Sequence, residues 1–159
     1  MQNRDVVTPL DEHPHYSSWL EVVKAYTKCH RLMSVRLAEL DLSVAQHEVL
    51  LALGREKGLS QVELASRLLV ARSNITAMLK RMEGSGLVER SADENDGRTH
   101  RVSLTAAGRR LLRRSARVHG EIVDLMIGEL SNEQIRVVKR SMQLVGNRLS
   151  EALRLADPR

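Results

Sequence analysis

The chain has no phenylalanine, one tryptophan and two tyrosines among its 159 residues. Its core must therefore be Leu, Val, Ile, Ala and Met, which suits helices packed on helices. It also lacks the aromatic platforms on which single-stranded nucleic acids stack their bases. There is one cysteine, Cys29. That excludes an intrachain disulfide and fits a reducing compartment. No apolar run approaches the roughly 20 residues a membrane helix needs. The opening MQNRDVVTPLDEHPHYSS has no apolar centre of signal-peptide type. A cytoplasmic protein with no membrane partner is expected. The chain also has no P-loop, no G-x-S-x-G, no Gly-rich nucleotide turn and no acid pair in an apolar setting. Its six histidines are scattered, with no H-x-x-x-H and no C-x-x-C, so neither an enzyme nor a resident metal or cofactor is expected.

What is present is positive charge, unevenly placed. The formal net charge is +5. Residues 54–114 hold 13 Lys and Arg against 7 Asp and Glu, while the remainder holds 12 against 13. A basic face of this kind releases counterions from DNA and binds it in a salt-dependent way. The length suits one domain with a real core.

The basic stretch, Ser60 to Thr105, has an order of elements that points to duplex DNA. Ser60 and Glu63 make a capping box. The helix they open carries Val62, Leu64, Ala65, Leu68 and Leu69 on its apolar side. A second helix is predicted over Ala71–Glu83, with Ile75, Met78, Leu79 and Met82 at the 3–4 spacing of a buried stripe. Its other side carries Arg72, Ser73, Asn74, Thr76, Lys80 and Arg81, with no acid before Glu83. Gly84 and Gly86 end it. A two-stranded hairpin follows, Leu87–Ser91 and His100–Leu104, around the polar, turn-rich 92–99. Val102 and Leu104 alternate with polar residues, so one hairpin face packs inward. Thr105 caps the next helix.

The segments LVARSNITAMLKRMEGSGLVER and DENDGRTHRVSLTAAG resemble the winged helix-turn-helix of the MarR family of bacterial transcription regulators. The most specific part is the pattern formed by Asp93, Asp96, Arg98, Val102, Leu104, Thr105 and Gly108. The resemblance extends over roughly Tyr16 to Leu153. It implies a mainly α fold with a small β-hairpin wing, in which a winged helix-turn-helix core is flanked by N- and C-terminal dimerisation helices.

The flanking sequence has its own periodicity. Residues 1–14 read as an extended or disordered segment. A helix is predicted from about Ser17 to Leu40, and another after Ser43, where Gln46 completes a capping box. Long helices are predicted over about 106–129 and from Ser131, capped by Gln134, to about Leu155. The last carries Ile135, Val138, Met142, Val145, Leu149 and Leu153 in one stripe. This is more apolar helical surface than a small winged core can cover. A second copy of the chain is the economical partner, and a two-fold dimer sets two recognition helices about 34 Å apart, in successive major grooves. The alternative is an intramolecular bundle. The expected organisation is a flexible 1–14 and a single domain over 15–155, with the DNA-binding lobe at 43–105 and dimerisation helices at 15–40 and 106–155.

For the DNA contacts, Asn74 can bond adenine and Arg72 guanine, each in a bidentate way. Ser73, Thr76, Lys80 and Arg81 suit phosphates. Ser60 and Gln61 stand at a helix N-terminus, whose amides suit a phosphate. In the wing, Arg98 is placed to enter a minor groove, oriented by Asp96, with Arg101 on the return strand. The alternative for Asp96 and Arg98 is a pair that merely stabilises the turn. The expected function is a sequence-specific, double-stranded-DNA-binding regulator, a homodimer on a pseudo-palindromic operator.

Family resemblance adds repression and a small aromatic or phenolic acid effector. Trp19, Tyr26, His30, Met33 and His47 are candidates to line its pocket, with Arg72 or Arg113 as the cation. The alternative is a stripe that belongs to the core or a dimer interface. Two further readings stay open. Cys29, beside Lys28, His30 and Arg31, is a candidate oxidant sensor, although no second cysteine exists to resolve a sulfenic acid. The winged helix is also open to reading as a protein-interaction module without a DNA role.

Overall fold

The computed structural model describes residues 10–68, 72–93 and 100–156. Residues 1–9, most of the segment expected to be extended, lie outside the described residues. Leu10–Glu12 form a single 3-10 turn. The turn is held by the His13 amide on the Leu10 carbonyl at 3.2 Å.

Six helices and three strands follow among the described residues. Helix α1 (Tyr16–Ala38) closes on Asp41, which takes a left-handed φ of 54°. The Leu42 amide reaches back to the Leu37 carbonyl and the Asp41 amide to that of Ala38, a Schellman closure in which Asp stands where glycine is usual. Helix α2 (Val44–Arg55) opens on the Ser43/Gln46 capping box. Strand β1 (Leu59–Ser60) leads into α3 (Gln61–Leu68) through the Ser60/Glu63 box. Helix α4 (Arg72–Gly84) also ends in a Schellman closure, with Gly86 at φ 67°. Strands β2 (Val88–Ala92) and β3 (His100–Leu104) form the hairpin.

The sheet is antiparallel in the order β1-β3-β2, with Leu59 opposite Val102 and Val88 opposite Leu104. The sequence predicts two strands. The third is two residues long, too short to show alternation. Inward-facing Leu59, Val88, Val102 and Leu104 close one side of a core whose other walls are Leu50 and Leu53, Leu64, and Ile75, Leu79 and Met82. Burying each such side chain contributes about 1.5–3 kcal/mol.

The joint between the hairpin and α5 (Ala106–Ile127) is tight. The Thr105 amide donates to the Leu87 carbonyl at 3.1 Å. The Thr105 hydroxyl donates to the Gly86 carbonyl at 2.6 Å and accepts from the Gly108 amide at 3.0 Å. A Cβ on Gly108 would lie 2.0 Å from the Leu87 oxygen. The Leu-Thr-x-x-Gly spacing is thus a core residue, a helix cap and a contact that admits no side chain.

A part-buried polar pair joins α2 to α5. His47 is 1% exposed, and its Nε2 lies 3.0 Å from His119 Nδ1 on α5. His47 Nδ1 is buried without a hydrogen-bond partner among the described residues. Burial, and then the neighbouring His119, push the His47 pKa down from 6.5 to about 4, so the ring is held neutral.

The chain divides into two compact units, Met1–Ile122 and Val123–Arg159. The second unit comprises the end of α5 and helix α6 (Asn132–Ala156), opened by the Ser131/Gln134 box. No residue of α6 is buried, and Val138, Met142, Val145, Leu149 and Leu153 stay exposed.

Two outcomes follow from these contacts. Gly108→Ala should lower the unfolding free energy by about 2 kcal/mol or more, because a backbone carbonyl must move to admit the methyl; an unchanged urea midpoint refutes this. For His47, the unfolded chain binds a proton that the folded chain refuses between about pH 6.5 and 4. Stability is therefore retained above that window and lost through it as pH falls, by on the order of 2–3 kcal/mol at the bottom. A His47→Gln variant should show a flatter acid limb, and an identical limb removes His47 as its source.

Candidate nucleic-acid interface

Helix α4 has two well-separated faces. Ile75, Met78, Leu79 and Met82 are buried, while Ser73, Asn74, Thr76, Ala77, Lys80 and Arg81 are exposed. The 3.6-residue period puts Ser73, Ala77 and Lys80 at the centre of the outward face. Asn74 and Arg81 lie on one flank. There they line a groove of about 600 Å³ with Ser43, Ala45 and Gln46 from the start of α2. Thr76 lies on the other flank, its hydroxyl donating to Gln61 Oε1 at 2.9 Å. The structure thus brings together Ser73, Asn74, Thr76, Lys80 and Arg81, with Gln61 tied to them. The Arg72 side chain, and the whole of Asp96 and Arg98, lie outside the described residues.

Two expected contacts are used differently. Ser60 is 9% exposed, and its hydroxyl accepts from the Glu63 amide at 3.2 Å while its own amide donates to the Glu63 carboxylate at 2.7 Å. The first turn of α3 therefore holds a carboxylate where a phosphate was expected to sit. Its hydrogen bonds from Ser60, and then the charges of Arg101 and Arg67, keep the Glu63 pKa below the usual range. Arg101 is engaged inside the fold. Its Nε donates to Asp93, and its Nη1 donates to Glu63 at 3.0 Å and to the Gly58 carbonyl at 3.1 Å. Hydrogen bonding to Asp93 leads the causes that raise its pKa. Arg101 thus ties the root of the wing to the start of α3.

Asp93 is the residue whose role the sequence reading missed. The hairpin register was the available signal. With Ala92 opposite His100, Asp93 and Arg101 become diagonal cross-strand neighbours on one face. A second root contact joins α4 to β2, where Arg90 Nε lies 3.1 Å from a Glu83 carboxylate oxygen.

The six effector candidates whose side chains are described are not gathered around one cavity. Trp19 and Tyr26 are 54% and 69% exposed. Trp19 stacks on Tyr16, and Tyr26 tilts against His30. Met33 and His47 are in the core. Arg113 lines a different cavity with Leu53 and Lys57. Cys29 is half-buried on α1. Among the described residues, no group of three or more His, Cys, Asp or Glu could hold a metal ion, and no helix is long and apolar enough to cross a membrane.

Comparison with known proteins bears on this arrangement. A family model described as MarR family matches residues 40–99. The transcriptional regulator HosA of Escherichia coli O111:H- is 33% identical over 105 residues, spanning 66% of this chain and 76% of HosA. The chain spans 64% of the length of an uncharacterised HTH-type transcriptional regulator of Bacillus cereus. Among solved structures, the transcriptional repressor CouR bound to a 23-mer DNA duplex superposes with a TM-score of 0.70 at 30% identity, over 86% of this chain and 93% of that one. A mutant MarR from Escherichia coli complexed with operator DNA gives 0.72 at 26% identity, over 78% and 89%. The model match lies on the segment that builds the two-faced α4 and the first strand of its wing, and the match to HosA runs over most of both chains. The chain belongs to the MarR family of winged-helix transcriptional regulators.

Proposed function

We propose that the protein binds double-stranded DNA sequence-specifically as a homodimer and acts as an effector-responsive repressor in the cytoplasm. The observation that carries the DNA reading is the outward face of α4. It offers Ser73, Asn74, Thr76, Lys80 and Arg81 without an acid, opposite a fully buried apolar stripe. In this reading α4 enters the major groove. Asn74 and Arg72 reach base edges, while Ser73, Thr76, Lys80 and Arg81 hold phosphates. Gln61 supports Thr76 from α3. The wing delivers Arg98, paired with Asp96, to the minor groove. Arg101 positions the wing. CouR, solved with a 23-mer DNA duplex, and the MarR mutant, solved with operator DNA, support the DNA reading.

The homodimer is supported by apolar surface that one chain leaves exposed, with Trp19, Val22 and Tyr26 on α1 and the Val138-to-Leu153 stripe on α6. A second copy burying these helices makes 15–40 and 106–155 the dimerisation segments and leaves 43–105 as the DNA-binding lobe. An effector then acts by binding one lobe spacing better than another, and only by that difference.

Selection from a random duplex pool should enrich a pseudo-palindrome that the protein shifts in gels, with affinity falling steeply as salt rises. Arg98→Ala should weaken that binding by about 1–3 kcal/mol. A pool without an enriched site, or an Arg98→Ala titration that overlays the wild type, counts against this reading. The wing root gives a separate outcome. Asp93→Asn and Arg101→Ala should each weaken operator binding, and the double variant should lose no more than the worse single one, as expected of partners in one network. Additive losses would return Arg101 to direct phosphate contact.

A further inference from the structure

A cavity of about 430 Å³ lies where the end of α2 and the start of α5 meet the hairpin. Its position follows from the strand alternation. Val88 is buried and Arg90 reaches back to Glu83 on α4, so Glu89 faces the other way, directly opposite Ser103 in the register. The floor is apolar, made by Leu53 at the end of α2, Leu104, and Leu112 on α5. Gly54 lies in the same wall, and a Cβ there would meet Leu112 Cδ2 at 2.4 Å. The absence of a side chain at this position lets Leu112 pack close and leaves room above it.

The rim is charged. Lys57, Arg109 and Arg113 meet there, with Glu89 as the one acid and Ser103 as a hydroxyl. Arg109 is held in place by its Nη1 donating to the Leu104 carbonyl at 2.5 Å. Lys57 and Arg113 have no ion-pair partner among the described residues, and the nearby Glu56 is paired with Arg67. Three cations and one acid leave a formal excess of two positive charges around one recess.

From this geometry we propose that the cavity binds a phosphate monoester with a hydroxyl-bearing body, of the sugar phosphate class. A phosphate monoester carries about −1.5 to −2 at neutral pH, which matches the excess. Arginine forks and a lysine are the groups that recognise its oxygens. Glu89 and Ser103, side by side on neighbouring strands, accept and donate to hydroxyls of the body. The apolar floor takes its carbon face, and the cavity lies within the size range of small-ligand sites. A DNA backbone fits poorly. None of its lining residues belongs to α4, and the Glu89 carboxylate in it repels a phosphate rail. The ligand would join the end of α2, the root of the wing and the start of α5. Its effect on operator binding rests on the regulator reading above, but its binding does not.

The test is calorimetric titration of the full chain with ribose 5-phosphate, inorganic phosphate and ribose. Ribose 5-phosphate should bind saturably, about tenfold or more tightly than inorganic phosphate, and ribose should not bind. Arg113→Ala and Lys57→Ala, both at solvent-facing positions, should each weaken it by about tenfold. Arg140→Ala, which removes the same charge from α6, should bind as the wild type. Melting curves monitored by circular dichroism establish that each variant is folded. No saturable heat, equal affinity in Arg113→Ala, or an equal loss in Arg140→Ala overturns the proposal. So does loss of duplex binding in Arg113→Ala when the wild type shows no sugar phosphate binding, which assigns these cations to DNA. The titration contains no DNA, so a failed operator selection leaves its outcome readable.

Discussion

The lobe is assembled on one carbonyl, that of Leu87. It accepts the Thr105 amide at 3.1 Å, lies 3.3 Å from the Thr105 hydroxyl, and is approached so closely by α5 that only glycine fits at position 108. Three parts of the chain meet there. The peptide just before it is the left-handed Gly86 turn that ends α4, the strand just after it starts the wing, and the capped first turn of α5 presses on it. Because interiors are close-packed and compress little, a displacement of any of these parts is passed to the other two. The orientation of the reading helix against the start of the wing is therefore set first by backbone geometry.

Charge is divided along the same lines. Three acids of the lobe are engaged in its internal contacts. Glu63 fills the first turn of α3 and holds Arg101, Asp93 holds the same guanidinium from the wing, and Glu83 lies against Arg90. Each pair is partly exposed and worth little as stability. Their effect is positional: they fix the wing root to α3 and α4, and they remove negative charge from the outward face of α4. That face keeps Lys80 and Arg81 with no carboxylate between them. An excess of cations over acids, spread in sequence, becomes a surface of one sign by this sorting.

The sequence makes legible what is local. The three capping boxes at Ser43, Ser60 and Ser131, the buried stripe of α4, the return strand from His100 to Leu104 and the starts of α5 and α6 all depend on residues within one or two turns of each other. What it hides is set by distant pairing. Strand β1 exists because Leu59 finds Val102, 43 positions away. Arg101 carries the same sequence signature as a phosphate-binding arginine, and only the folded register shows that Asp93 and Glu63 hold it. Met33, on the same helix as Trp19 and Tyr26, and His47, on the next one, suit a pocket lining as well as a core. Their burial, against the exposure of Trp19 and Tyr26, separates core from surface in a way periodicity cannot. Arg113 is legible as a candidate cation for a ligand, but the cavity around it needs the end of α2 and the hairpin.

Helix α5 is where the proposed output and input meet. Its first turn is capped against Leu87 and the wing, its middle touches α2 through His119, and its end belongs to the second unit with α6. An amphipathic helix of 25 residues with nothing buried gains little from the chain it belongs to. On the proposed reading, most of its stabilisation comes from the second copy, which links folding of this end to association. A ligand seated among Lys57, Arg109 and Arg113 would act at the other end of the same helix, one turn from the Gly108 contact. It need not unfold anything. It has only to bind one setting of α5 against the sheet more tightly than another, because the close contact at Leu87 leaves α4 and the wing little freedom to stay behind.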